Sequence, residues 1–195
     1  MSDPHNKARY GELWPKERSV LGRSVLEQLK DLVVISGGWA WCVMSPIGHP
    51  EYKHAHDLKD LDLFVPPKNV AGVMARLQEM DFRPVWTRYD RLDSEEDFRR
   101  YEKTVVLPVW PDMSKPHSPD AVIETKTMRI TIDFFVRHVP SIELQGFRVV
   151  PPATLLTFYS NIHSSDKCFA VKAAHRLIAQ GKDPIGHPDL VKIPR

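Results

Sequence analysis

Apolar residues recur at two different spacings along this 195-residue chain. Spacing of three to four residues predicts helices that end near Asp31, cover residues 70–80, and follow the pair Pro151-Pro152. Short apolar or alternating runs predict strands at residues 33–36, 60–65, 82–87, 103–107, 128–136 and 145–150, with residues 123–126 opening a hairpin onto 128–136. The pattern therefore predicts an α/β (α+β) fold, in which helices flank a mixed sheet.

Other segments are predicted to connect these elements. Two glycines end the first strand and a helix begins at Trp39. We expect residues 46–57 to form a loop, the charged residues 88–100 a solvated turn or short helix, and residues 108–119, with four prolines, another loop. The tail is predicted to be helical over residues 153–162 and 166–180.

Composition adds limits on size and setting. The length predicts a single domain over residues 1–195, with a core at about 32–150 and a C-terminal helical segment at about 152–181. A net charge of +2 and 42% hydrophobic residues indicate a globular protein with no strong attraction to nucleic acid or membrane. Because the N-terminus lacks the apolar core of a signal peptide and only Cys42 and Cys168 are present, we expect a reducing, cytoplasmic location.

The most informative motif is a pair of aspartates in the apolar run 59–65. Strand alternation places Asp60 and Asp62 on the same face, where their carboxylates form a pair of oxygen ligands. Asp133 projects from a later strand to the face opposite its apolar neighbours. Hard divalent cations, Mg²⁺ or Mn²⁺, prefer such ligands. From the residues alone, the paired acids are compatible with the solvated face of an edge strand or with a metal site. In the metal site, Asp133 would complete the acidic face and either bind a second ion or accept a proton.

A second candidate feature precedes the paired acids. Ser36, Gly37 and Gly38 follow a buried strand, so their backbone N–H groups are suited to binding phosphate oxygens. The sequence is not a P-loop, because no Gly-Lys-Ser/Thr follows. Lys59 and Lys167 are candidate cations for the same phosphates, although either could be an ordinary solvated lysine.

This order of elements resembles the nucleotidyltransferase superfamily with the polymerase-beta-like fold. More narrowly, residues 35–40 and 59–63 resemble small bacterial nucleotidyltransferases related to lincosamide-modifying enzymes and to AbiEii-type toxins. The resemblance implies that Gly37 and Gly38 hold an NTP triphosphate, that Asp60 and Asp62 bind magnesium, and that Asp133 assists attack. These three aspartates are thus the predicted catalytic residues and metal ligands.

Three functions are compatible with these motifs. The first is a magnesium-dependent nucleotidyltransferase that moves an NMP from an NTP to an unidentified small molecule, RNA or protein. The second is an inactive nucleotidyltransferase-like domain that binds a nucleotide or a protein, because His56 and Leu58 stand where the family often has arginine and threonine. The third is a zinc hydrolase that uses His49, His54 and His56.

Overall fold

A computed structural model describes residues 15–44, 58, 60–87, 97–109, 124–160 and 179–180. Its helices are α1 (Pro15–Leu29), α2 (Gly37–Met44), α3 (Val70–Glu79) and α4 (Pro152–Ser160), and the short 3-10 turn Pro67–Asn69 precedes α3. Its strands are β1 (Val34–Ile35), β2 (Asp60–Val65), β3 (Arg83–Val85), β4 (Asp97–Val109), β5 (Glu124–Val136), β6 (Ile142–Leu144) and β7 (Phe147–Val149). The predicted α/β class is confirmed.

The described strands form one mixed sheet in the order β3-β4-β5-β2-β1-β7-β6. β2 pairs with β5 in parallel and with β1 antiparallel, so it lies at the centre. β4 and β5 pair antiparallel along 13 residues each, whereas β2 reaches only residues 131–136 of β5. Among the described residues, the far half of the β4–β5 pair is therefore a two-stranded ribbon that extends past β2.

The two faces of the central strands differ in character. On one face, apolar side chains of β2 and β5 are at most 4% exposed: Leu61, Leu63, Val65, Ile130, Ile132 and Phe134. Helix α3 covers this face, where its buried Val73 and Leu77 pack into the same core. The other face carries the aspartates, because acidic and apolar residues alternate along β2 and along the end of β5.

Several sequence predictions were wrong in detail. Residues 97–100 belong to strand β4 rather than to a solvated turn or short helix, and β4 continues through Pro108. Residues 124–136 form one uninterrupted strand that pairs with β4, so the predicted hairpin between 123–126 and 128–136 does not exist. β6 was not predicted, and α2 begins at Gly37 rather than at Trp39.

Some predictions lie outside the described residues. These include the 46–57 loop with its three histidines, Lys59, residues 88–96 and 110–119 of the other two connecting segments, and almost all of the second C-terminal helix with Lys167. Among the described residues, no helix is both long enough and apolar enough to cross a membrane.

Candidate active site

The three predicted acids converge on one face of the sheet. In the parallel β2–β5 pair, Asp62 lies directly opposite Asp133, and Asp60 lies opposite Thr131. One carboxylate oxygen from each of the three aspartates lies within 4.8 Å of the other two. Two like charges about 4 Å apart repel by roughly 4 kcal/mol at an effective dielectric of about 20. Such a cluster therefore requires nearby positive charge.

Arg100 supplies part of that charge. It lies opposite Asp133 in the β4–β5 pair, and its Nε donates to Asp133 Oδ1 at 2.6 Å while Nη2 donates to Oδ2. The two side chains are 19% and 9% exposed. A guanidinium that contacts both oxygens of one carboxylate fixes its position and its plane. Asp133 is thus held in one orientation beside Asp62.

Gly37 lies against the Asp62 side chain. Its φ is +59°, and a Cβ built on it would overlap Oδ2 and lie 2.7 Å from Cγ and 2.8 Å from Cβ of Asp62. Real Cβ atoms essentially never approach another atom within 3.0 Å. Only glycine fits this position, because both the backbone conformation and the close approach exclude a side chain.

The first turn of α2 lies beside these acids. The Ser36 N–H donates to the Asp62 carbonyl at 2.8 Å, which attaches the start of the turn to β2. The Ala40 N–H donates to the Ser36 carbonyl at 3.1 Å. The N–H groups of Gly37 and Gly38 precede this bond, so they lie outside the helix's own hydrogen-bond series and are suited to an anion.

Thr131 adds a polar atom to the same face. Its side chain is fully buried and projects with Asp133, two residues along β5. Its Oγ1 is buried and has no hydrogen-bond partner among the residues that the structure describes. A buried hydroxyl without a partner is unusual and destabilising in a native protein.

The structure describes only some of the remaining residues that were predicted to bind phosphate. Ser36 is buried, so its backbone rather than its side chain faces the site's candidate ligand. Lys59 and Lys167 lie outside the described residues, so both remain predicted candidates for binding phosphate.

Arg100 is the site residue that the sequence reasoning missed. The sequence predicts a solvated turn or short helix for its segment, residues 88–100, which gives no reason to place it near Asp133. The sequence contained one indication of its place: if residues 97–102 form a strand, then Arg100 shares a face with Phe98 and Glu102, just as Asp60 shares a face with Asp62.

The fold is nucleotidyltransferase-like, and the three acids lie together on one face of its sheet. The structure resembles a Helicobacter pylori protein described as a candidate nucleotidyltransferase, with a TM-score of 0.50 and 14% identity over 86% of this chain and 70% of that chain. It is also similar to JHP933 from Helicobacter pylori, with a TM-score of 0.45 and 15% identity over 76% of this chain. This chain spans 57% of the length of JHP933.

No protein-family model and no curated protein matches the sequence. At 14% identity, the structural similarity establishes the fold and leaves the reaction to be argued from the site.

Proposed function

We propose that this protein is a magnesium-dependent nucleotidyltransferase that transfers an NMP from an NTP to an acceptor. The observation that carries the proposal is the convergence of Asp60, Asp62 and Asp133, whose ligand oxygens lie within 4.8 Å of one another. Acceptors with a hydroxyl, an amine or a phosphate are compatible with this chemistry, and the lincosamide-modifying and AbiEii-type nucleotidyltransferases are the proposed relatives.

The donor atoms of this face fit a divalent cation. Asp60, Asp62 and Asp133 each offer a carboxylate oxygen, the type of ligand that Mg²⁺ and Mn²⁺ prefer. Asp60 and Asp62 would hold the ion. When bound there, Mg²⁺ supplies neutralising charge for the triphosphate and polarises the reacting phosphate. The unpartnered Thr131 Oγ1 on the same face is suited to a hydrogen bond with an ordered ligand or water.

The chain's own groups have distinct roles in this proposal. The N–H groups of Gly37 and Gly38 donate to triphosphate oxygens, with Lys59 and Lys167 as further candidates for phosphate binding. Asp133 orients the acceptor or accepts its proton at a carboxylate oxygen. The acceptor's oxygen or nitrogen then bonds to the α-phosphorus, and its proton, where it has one, passes to Asp133. The bond from the α-phosphorus to the oxygen that bridges to the β-phosphate breaks, and pyrophosphate departs with that oxygen.

One observation favours a second candidate function. Both oxygens of Asp133 accept hydrogen bonds from Arg100, which restrains the carboxylate that would act on the acceptor. A nucleotidyltransferase-like domain that binds a nucleotide or a partner protein without catalysis would retain such a contact.

A transfer assay distinguishes the two functions. Purified protein is incubated with each of the four α-³²P-labelled NTPs, Mg²⁺ and a cell extract, and labelled acceptor is separated from NTP. Wild type is expected to form a labelled product, and Asp60→Asn/Asp62→Asn is expected to form none. Asp81→Asn is the control, because Asp81 is exposed, pairs with Lys103 and has a φ of 62° that asparagine tolerates.

The same variants test the metal site without any acceptor. A cation that binds only the folded state raises the melting temperature. Mg²⁺ should therefore raise the melting temperature of wild type and of Asp81→Asn, but not that of the doubly substituted protein. An unchanged Mg²⁺ effect in the double variant would place the metal elsewhere.

A further inference from the structure

The positively charged guanidinium of Arg100 lies where it would compete with a divalent metal ion for Asp133. Its guanidinium contacts both oxygens of Asp133, and Asp133 is one of the three acids whose ligand oxygens cluster within 4.8 Å. A metal ion among these oxygens would therefore lie only a few ångströms from the guanidinium. Two cations at that separation repel strongly, because the site is partly shielded from water.

The hydrogen bonds of Asp133 lead to the same conclusion. A carboxylate oxygen has about two lone-pair directions, and the guanidinium uses one on each oxygen. A metal that binds Asp133 must use a remaining direction beside a positive group, or must displace that group. Either outcome weakens metal binding relative to a site without Arg100.

We infer that Arg100 is the internal counter-ion of this site and a positioning residue for Asp133. It stabilises the cluster of acids before a metal binds, and it raises the Mg²⁺ concentration at which the site fills. This inference rests on the proposed function only in assuming that the three acids bind a divalent cation.

The test is Mg²⁺ binding to the whole protein without nucleotide, measured by isothermal titration calorimetry at constant ionic strength. A hydrogen bond to a charged group changes an equilibrium constant by on the order of tenfold. Arg100→Gln should therefore bind Mg²⁺ about tenfold more tightly than wild type. Arg100→Lys retains the charge without the two-pronged contact, so its affinity should lie between the two.

Arg99→Gln is the matched control. Arg99 is the neighbouring residue of β4, and its side chain projects to the opposite face, where Nη1 contacts Met74 Sδ at 2.7 Å. Its substitution removes the same charge from the same strand, so it reports the effect of net charge alone. Mg²⁺ affinity in Arg99→Gln should remain within about twofold of wild type, because this charge lies on the opposite face of the sheet from the acids and salt screens its effect.

A measurement on wild type covers the case in which Arg100→Gln does not fold. The Nε–H resonance of Arg100, assigned through bonds from the backbone, should shift when Mg²⁺ is added, while that of Arg99 should not.

The outcomes separate this inference from the proposed function. Equal affinities in Arg100→Gln and Arg99→Gln, weaker binding in Arg100→Gln, or an Arg100 signal unchanged at saturating Mg²⁺ would each overturn the role of Arg100 while leaving the metal site intact. An absence of Mg²⁺ binding in wild type would overturn both.

Discussion

Substitution of Gly37 by alanine tests the contact that positions Asp62. A non-glycine residue in the left-handed region costs roughly 1–2 kcal/mol. The added Cβ would also lie 2.7–2.8 Å from Cγ and Cβ of Asp62. Rotation of the carboxylate relieves only part of this overlap, because Asp62 Cβ is fixed by the strand, and overpacking of this kind costs roughly 1–3 kcal/mol.

We therefore expect Gly37→Ala to lower the free energy of unfolding by about 3 kcal/mol, from these two contributions together. Urea denaturation followed by circular dichroism measures this quantity. Because Asp62 must move, the variant should also lose most of the rise in melting temperature that Mg²⁺ produces in wild type.

Gly146→Ala is the control for backbone strain. Gly146 has a φ of +78°, and a Cβ built on it meets nothing within 4 Å, so only the conformational cost of roughly 1–2 kcal/mol applies. A second control is Gly37→Ala in an Asp62→Ala background, which removes the overlapping Cγ and Oδ2 and should reduce the penalty. Equal losses of stability in Gly37→Ala and Gly146→Ala would refute the proposed overlap with Asp62.

Two further predictions concern a buried hydroxyl, that of Thr131, and a partly buried thiol, that of Cys42. Thr131→Val replaces a buried hydroxyl that has no described partner with a methyl of the same shape. In urea denaturation without metal, the free energy of unfolding should therefore rise by about 1 kcal/mol. A clear loss of stability would instead mean that Oγ1 is hydrogen-bonded. Burial raises the pKa of the Cys42 thiol above its ordinary 9.0, while Arg23 lowers it, so iodoacetamide should modify Cys42 more slowly in the folded protein than in urea, as mass spectrometry would show. A faster reaction with iodoacetamide in the folded protein would contradict the shielding of this thiol. The stability gained by keeping the Cys42 proton is present below pH 9 and is lost as the pH rises through the higher folded pKa.

The central part of the site was predictable from sequence for a clear physical reason. In β2, acidic and apolar residues alternate with the period of a strand, and the structure begins and ends that strand where the sequence predicts, at Asp60 and Val65. Asp133 lies between Ile132 and Phe134 in an apolar run, so strand alternation predicts that its side chain projects to the face opposite theirs. Convergence of the acids then required only that their strands be adjacent, which the parallel β2–β5 pairing provides.

The beginning of β4 was not predictable, because both of its faces carry charged side chains. Arg100 projects toward Asp133, while Arg99 and Lys103 project to the other face and bond to Met74 and to the Met80 carbonyl. The usual alternation of polar and apolar residues is therefore hidden, and a charged segment is ordinarily solvated. Only tertiary partners on α3 and β5 show why these cations are in a strand.

The long β5 strand was divided for a related reason. Its N-terminal half pairs only with β4 among the described residues and does not lie in the centre of the sheet. Polar residues at 124–127 are compatible with a two-stranded ribbon but are atypical of a buried strand. Sequence periodicity reports burial, so it placed the start of the strand too late.

Single-turnover transfer by Asp133→Asn tests the proposed function most directly. Asparagine keeps the shape of the side chain and a hydrogen-bond acceptor for Arg100, but it cannot accept a proton as a carboxylate does. At saturating labelled NTP and Mg²⁺, we predict that wild type forms a labelled product. Asp133→Asn should bind the NTP but transfer the label at least about a hundredfold more slowly. Wild-type protein that binds NTP and yields no labelled product with any of the four NTPs or acceptor pools would contradict the assignment as an enzyme, and equal rates in both proteins would contradict the role given to Asp133.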